Sequence, residues 1–232
     1  MKKVFAPLVA ILTLLLLNSF MPPDVPKEEV RKLDTFTGIG IGVSADVYYT
    51  TGNAHEIRIE GNSDDVDDLI TKVKDGFLQV KYDDWKIRRS KLTIYITSRE
   101  LEAVSVSGSA KFRSGEPFAS DEMDFAMSGS GAIHFEELTA DEVEVRISGS
   151  GHIEILDGAA DELDARISGS GKLNGETFEV NEFSASISGS GSARITVKEE
   201  LDARISGSGK VYYHGTPRVN STSSGSGKVV SL

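Results

Sequence analysis

Apolar and polar residues alternate with a period of two through the second half of the chain. Val143, Val145, Ile147, Gly149, Gly151, Ile153 and Ile155 form one phase, and Glu144, Arg146, Ser148 and Ser150 the other. The same pattern recurs in Leu163, Ala165, Ile167, Gly169, Gly171 and Leu173, and in Leu201, Ala203, Ile205, Gly207, Gly209 and Val211. Strict alternation marks β-structure with one buried face. Both glycines of each Ser-Gly-Ser-Gly unit fall in the apolar phase. This predicts inward glycines where the backbone turns a corner or passes close to another backbone.

The units start at Ser107, Ser128, Ser148, Ser168, Ser188, Ser206 and Ser224, spaced by 21, 20, 20, 20, 18 and 18 residues. A flexible linker carries no such register. An apolar-lined coil of near-constant length, repeated in parallel, predicts an all-β fold: a parallel β-helix or β-solenoid. Equivalent side chains would then stack in ladders about 4.8 Å apart. Glu144, Asp164 and Asp202 would run beside Arg146, Arg166 and Arg204, with two serine rows next to them. An antiparallel array of hairpins is the rival reading. A membrane barrel is excluded because the outward phase is Asp, Glu, Arg and Ser. In the last unit Val219, Ser221 and Ser223 take the apolar phase, which predicts a polar end coil.

Residues 34–103 lack the unit but are also β-rich. Phe36 to Gly52 reads as two strands joined near Gly42 to Ser44, followed by strands at His55–Gly61, Phe77–Tyr82 and Leu92–Thr97. "NSDDVDDLITKVKDG" predicts a short helix near 63–75, with Ser63 as N-cap and Gly76 as the stop. No Pro/Gly linker separates this part from the solenoid at 104–232, so the two are expected to be continuous.

Three stretches carry a resemblance: "FTGIGIGVSADVYYTTGN", "NSDDVDDLITKVKDGFLQVKY", and "LEAVSVSGSA" leading into the SGSG coils. Together they resemble the putative auto-transporter adhesin, head GIN domain family, a domain of unknown function in exported Bacteroidetes proteins. The resemblance spans about Val30 to the C-terminus. It implies a β-helical fold and an adhesin-like surface role, and it supplies no catalytic residues.

The N-terminus adds a destination. Lys2 and Lys3 precede an apolar run, Val4 to Leu17, that is short for a spanning helix. Residues 1–19 read as a secretory signal peptide and 20–33 as a linker, with an uncleaved anchor as the alternative because the cleavage site departs from the small-x-small rule. Export to the periplasm, outer surface or medium follows, with no integral membrane domain after cleavage. The chain of 232 residues contains no cysteine, so stability must come from packing and hydrogen bonds. A formal net charge of −11 argues against a nucleic-acid partner.

Several motifs mimic chemistry and fail on inspection. "SGSGK" at 168–172, 206–210 and 224–228 lacks the first glycine of a phosphate loop and has Leu173, Val211 or Val229 where Ser or Thr must follow the lysine. "GIGIG" at 38–42 lacks the helix and last glycine of a dinucleotide fingerprint. Ser170 and Lys172 share an exposed row and lack the desolvation a Ser–Lys dyad needs. Asp64, Asp65, Asp67 and Asp68 lack calcium-loop spacing and suit a helix start. His55, His134, His152 and His214 show no ligand spacing. No catalytic residue, metal ligand or cofactor is expected.

The expected function is a non-enzymatic envelope or surface protein presenting polar ladders to a glycan or protein partner. Candidate contacts are Trp85 with Asp83 and Asp84, since indole stacks on sugar rings, and the Arg146, Arg166 and Arg204 row. A carbohydrate-active enzyme would need carboxylates that break the repeat on one face, and no such break is evident. A purely architectural role is the third reading. Oligomeric state is not encoded in any of these signals.

Overall fold

A computed structural model describes residues 26–83 and 89–232. The segment read as a signal peptide lies outside the described residues. The chain forms a parallel β-solenoid of about six turns, bounded by seven Ser-Gly corners. The parallel reading therefore holds over the hairpin array. Strands β9 (Lys111–Gly129), β10 (Ala132–Gly149), β12 (Gly158–Gly169), β13 (Lys172–Gly189) and β14 (Ser192–Gly207) wrap around the coil. Short strands β11 (His152–Ile155), β15 (Lys210–His214), β16 (Arg218–Gly225) and β17 (Lys228–Ser231) complete it. Equivalent residues pair in parallel register: Arg146 with Arg166, Ile147 with Ile167, Ser148 with Ser168.

Each coil has three sides. The first runs through residues such as 142–149, the second through 152–155 and the third through 158–160. Inward rows stack like on like: Ile147, Ile167, Ile187 and Ile205 on the first side, Ile133, Ile153, Leu173 and Ala193 on the second, all buried. Coil length falls from 20 to 18 residues because three residues are lost at one corner and one is gained between Val197 and Glu200. Gly175 pairs with Ile195 and Glu179 with Thr196, so residues 176–178 have no counterparts in the next coil.

The corner corrects the expectation that both glycines point inward. The second glycine of each unit does: Gly151 and Gly171 are buried. The first does not. Gly169 is exposed and adopts φ +108°, and a Cβ there would stand 2.6 Å from the carbonyl oxygen of Gly149. The first glycine is required by left-handed backbone and close stacking, the second by interior space.

The N-terminal part belongs to the same stack, but not in chain order. Strand β2 (Gly38–Ile41) lies between β6 (Phe77–Lys81) and β8 (Ala103–Gly108). Strand β3 (Ala45–Thr51) likewise lies between β7 (Leu92–Ser98) and β9. The path from β2 onward thus starts one coil inside the end, travels outward, and returns on the other side. Antiparallel strands close that end: β1 (Pro26–Lys32) on β4 (Glu56–Asn62), and β5 (Ile70–Lys74) on β6.

Two sequence expectations are corrected here. Residues 26–32, in the segment read as linker, form β1. The helix read over 63–75 is only α1 (Ser63–Asp68), capped by the Asn62 side chain accepting from Asp64 N at 3.0 Å. The β-branched run Ile70, Thr71 and Val73 continues as strand, and Asp75-Gly76 is a hairpin turn with φ 51° and 77°. Asp-Gly is a strong signal for such a turn. Arg31 locks β1 to α1 by donating to the carbonyls of Leu69 and Val66, the latter at 2.7 Å.

Candidate functional site

The candidate surface is the set of outward rows that the coils present to solvent. On the first side the arginine row reads Ala126, Arg146, Arg166, Ser186, Arg204 and Thr222. The acidic row beside it reads Asp124, Glu144, Asp164, Ser184 and Asp202. Arg146 and Arg166 both pair with Glu144, and Arg146 also lies 3.8 Å from Asp124. Arg204 has no such partner among the described residues. The serine rows follow, Ser128 to Ser224 and Ser130 to Ser226, exposed at the corner. Their backbone N–H groups are used in the stack, as in Ser170 N to Gly149 O at 2.8 Å. Their hydroxyls face solvent.

At the far end of the first side stands a row that sequence reading passed over: Glu122, Glu142, Glu162, Glu182 and Glu200. Like charges directly opposite one another destabilise a sheet. The Glu162 carboxyl is accordingly pushed above the usual glutamate value, by burial first and then by Asp164, Glu142 and Glu182. The row ends where Glu200 meets Arg218. Among the described residues no group of three or more His, Cys, Asp or Glu has metal-holding geometry.

The second side carries the opposite sign. One row reads Lys111, Ala132, His152, Lys172, Ser192, Lys210 and Lys228. The next reads Arg113, His134, Glu154, Asn174, Arg194 and Tyr212. Toward the N-terminal end it becomes a stack in which Arg58 lies 3.8 Å over Tyr95, Tyr95 stacks on Tyr48 at 5.4 Å, and Arg113 lies 5.8 Å beyond. Glu154 accepts from Asn174 Nδ2 at 2.9 Å and meets His134 Nδ1 at 3.1 Å, and these contacts hold its carboxyl below the usual value. The lysine row was legible, because SGSGK places a lysine at the same phase of three coils.

Of the other predicted contacts, Asp84 and Trp85 lie outside the described residues. Asp83 follows β6, its carboxylate 3.6 Å from Lys81 Nζ. Flanking it, Tyr82 donates to Asp65 O at 3.2 Å, and Arg89 stacks 3.4 Å over the Tyr82 ring. Burial raises the Tyr82 phenol to about 12. The order β6, β2, β8, β9, β10 puts Asp83 four rungs from Arg146, about 19 Å at ~4.8 Å per rung. Asp83 is therefore separate from the arginine row. No described helix is long and apolar enough to cross a membrane.

The family described as "Putative auto-transporter adhesin, head GIN domain" matches residues 35–217. A search of curated proteins found no match. Among solved structures, a putative adhesin from Bacteroides fragilis is 24% identical, with a TM-score of 0.84 over 91% of this chain and 99% of its own. A putative adhesin from Parabacteroides merdae is 24% identical, with a TM-score of 0.72 over 89% and 96%. A putative lipid binding protein from Parabacteroides distasonis is 22% identical, with a TM-score of 0.73 over 89% and 96%. These three share the fold.

Proposed function

Since the chain belongs to the putative auto-transporter adhesin, head GIN domain family, we propose that it is a non-enzymatic, exported surface module that binds a glycan or protein through its outward rows. The observation that carries this reading is the register itself: serines recur at the same phase on successive rungs, and Arg146 with Arg166 and Lys210 with Lys228 stand on adjacent ones. A rigid row of weak donors binds a partner by many contacts at once, and the fixed spacing removes the ordering cost a mobile loop would incur. The row of Arg146, Arg166 and Arg204 is one contact surface. The segment Asp83, Asp84 and Trp85 is a second, independent one.

Enzymatic turnover is disfavoured because the carboxylates are repeated like the other rows, whereas hydrolysis uses two unlike carboxyl groups flanking one bond. Surface protease shaving combined with glycan- and protein-array binding tests the proposal. Saturable binding, loss of the intact chain on shaving, and no release of reducing sugar are expected. Confinement to the periplasm, or cleavage of a bound glycan, would overturn it.

A further inference from the structure

On the second side, the ammonium groups of Lys172, Lys210 and Lys228 have no ion-pair or hydrogen-bond partner among the described residues. Between the first two lies Ser192, whose short side chain opens a depression of ≈ 370 Å³ lined by His152, Lys172, Asn174, Ser192, Arg194 and Tyr212. Arg194 is half engaged: its Nη1 lies 3.2 Å from Glu176 Oε2 and its guanidinium stands 5.3 Å from the Tyr212 ring centre. Its Nε is shielded from solvent and has no acceptor. Two carboxylates, Glu154 (bonded by Asn174 and His134) and Glu176 (by Arg194 and by His214 at 3.3 Å), stand against four cations, Lys172, Arg194, Lys210 and Lys228. The surface is therefore cationic, although the whole chain carries −11. The compensating acids lie at another corner of the coil, in Asp121, Glu122, Asp141, Glu142, Asp161 and Glu162.

We propose that this depression, extended along the solenoid by Lys210 and Lys228, is a binding subsite for an acidic polysaccharide whose sugars carry carboxylate or sulfate groups. The proposal rests on the surface-binding reading above and names its ligand class. A lysine or guanidinium N–H pairs with the acid group, the Asn174 amide and Ser192 hydroxyl reach sugar hydroxyls, and the Tyr212 ring forms an apolar wall. A polymer fits better than a small anion because exposed ion pairs are individually weak. Lys172 and Lys210 stand two rungs apart, about 10 Å at ~4.8 Å per rung, so one chain engages both at once. A nucleic acid fits less well, because its continuous phosphate charge meets a net acidic protein with basic groups on one narrow row.

The test is binding of the full chain to immobilised polygalacturonate, a sulfated galactan, neutral dextran and a DNA duplex. The variant is Lys172→Ser with Lys210→Ser, which the fold accommodates because Ser192 already occupies the same row. Lys72→Ser with Lys74→Ser, exposed on β5, removes equal charge elsewhere. The expected result is binding to the two acidic polymers that weakens with salt, falls about tenfold or more in the first variant and holds in the second. Circular dichroism and a melting curve check that both variants fold. Equal binding to dextran, unchanged binding by the first variant, or tighter binding to DNA through the same lysines would overturn the proposal. Binding to neutral glycans or proteins with none to acidic polymers sinks this subsite and leaves the surface-binding reading standing. Binding to nothing on the arrays sinks that reading itself.

Discussion

Gly171 sits directly over Ile147 of the preceding coil: a Cβ on Gly171 would stand 2.3 Å from Ile147 Cγ2 and 3.2 Å from the carbonyl oxygen of Gly151. The relationship repeats as Gly191 over Ile167 and Gly209 over Ile187, each at 2.5 Å. The motif Ile-Ser-Gly-Ser-Gly is thus a statement about two coils. Its isoleucine supports the second glycine of the next one.

Gly171→Ala should destabilise the solenoid by about 1–3 kcal/mol, because β-branched Ile147 has little rotamer freedom with which to yield. Thermal melts of Gly171→Ala, Ile147→Ala and the double variant form a cycle that isolates the contact. The double variant should be more stable than the sum of the singles predicts. Gly169→Ala should respond to no such rescue, since its φ of +108° and the Gly149 carbonyl are the obstacles. Additive singles in the first cycle would contradict the packing account.

Glu162 makes a pH prediction of defined sign. Its folded pKa is raised by burial and by Asp164, Glu142 and Glu182, so the ionised form costs stability above that pKa. Glu162→Gln should raise the melting temperature at neutral pH, with the gain shrinking as pH falls through the carboxylate range. Glu154 has the opposite sign, lowered by its bond from Asn174, so Glu154→Gln should lower the melting temperature at neutral pH. The native chain should still unfold in acid. Glu29 is held at about 2 by Arg31 and Lys27, and that stabilisation is lost as pH drops from the usual glutamate value toward 2. Identical melting shifts for the Glu162→Gln and Glu154→Gln variants at all pH values would refute the assignment.

The terminal coil predicts an association state. Ser221 and Ser223 pair with Ala203 and Ile205, yet they are exposed, and among the described residues no further strand pairs with β16. The β16 edge is open there, and polar inward positions protect such an edge from pairing with another chain. Ser221→Ala with Ser223→Ile should create an apolar end and shift the protein to a higher mass in light scattering, relative to the native chain. An unchanged mass would mean that the serines do not guard the end.

The alternation and the regular spacing of SGSG determined, without coordinates, that the chain is a repeating β-structure with one buried face, and they favoured a parallel solenoid over a hairpin array; the parallel register of the folded coils decided between the two. They also placed the arginine, acidic and serine rows, because a period of two on a near-constant coil length leaves only one register that buries Ile and Leu. Local signals at the other end were misread for lack of tertiary context. Lys72 and Lys74 resemble a helix's last turn until Phe77–Lys81 offers Ile70–Lys74 a strand to pair with. Pro26–Lys32 looks like linker until β4 presents a free edge.

Only the folded chain decided three further matters. The two glycines of a unit differ, since inward and outward at a corner depend on φ, which sequence period cannot report. The first coil is threaded out of order, with β2 between β6 and β8, because strand neighbours are set by which edges remain open. The separation of acidic corner from lysine face was encoded in the repeats as phase, but its sign and direction became physical only when three sides of a coil were turned away from one another.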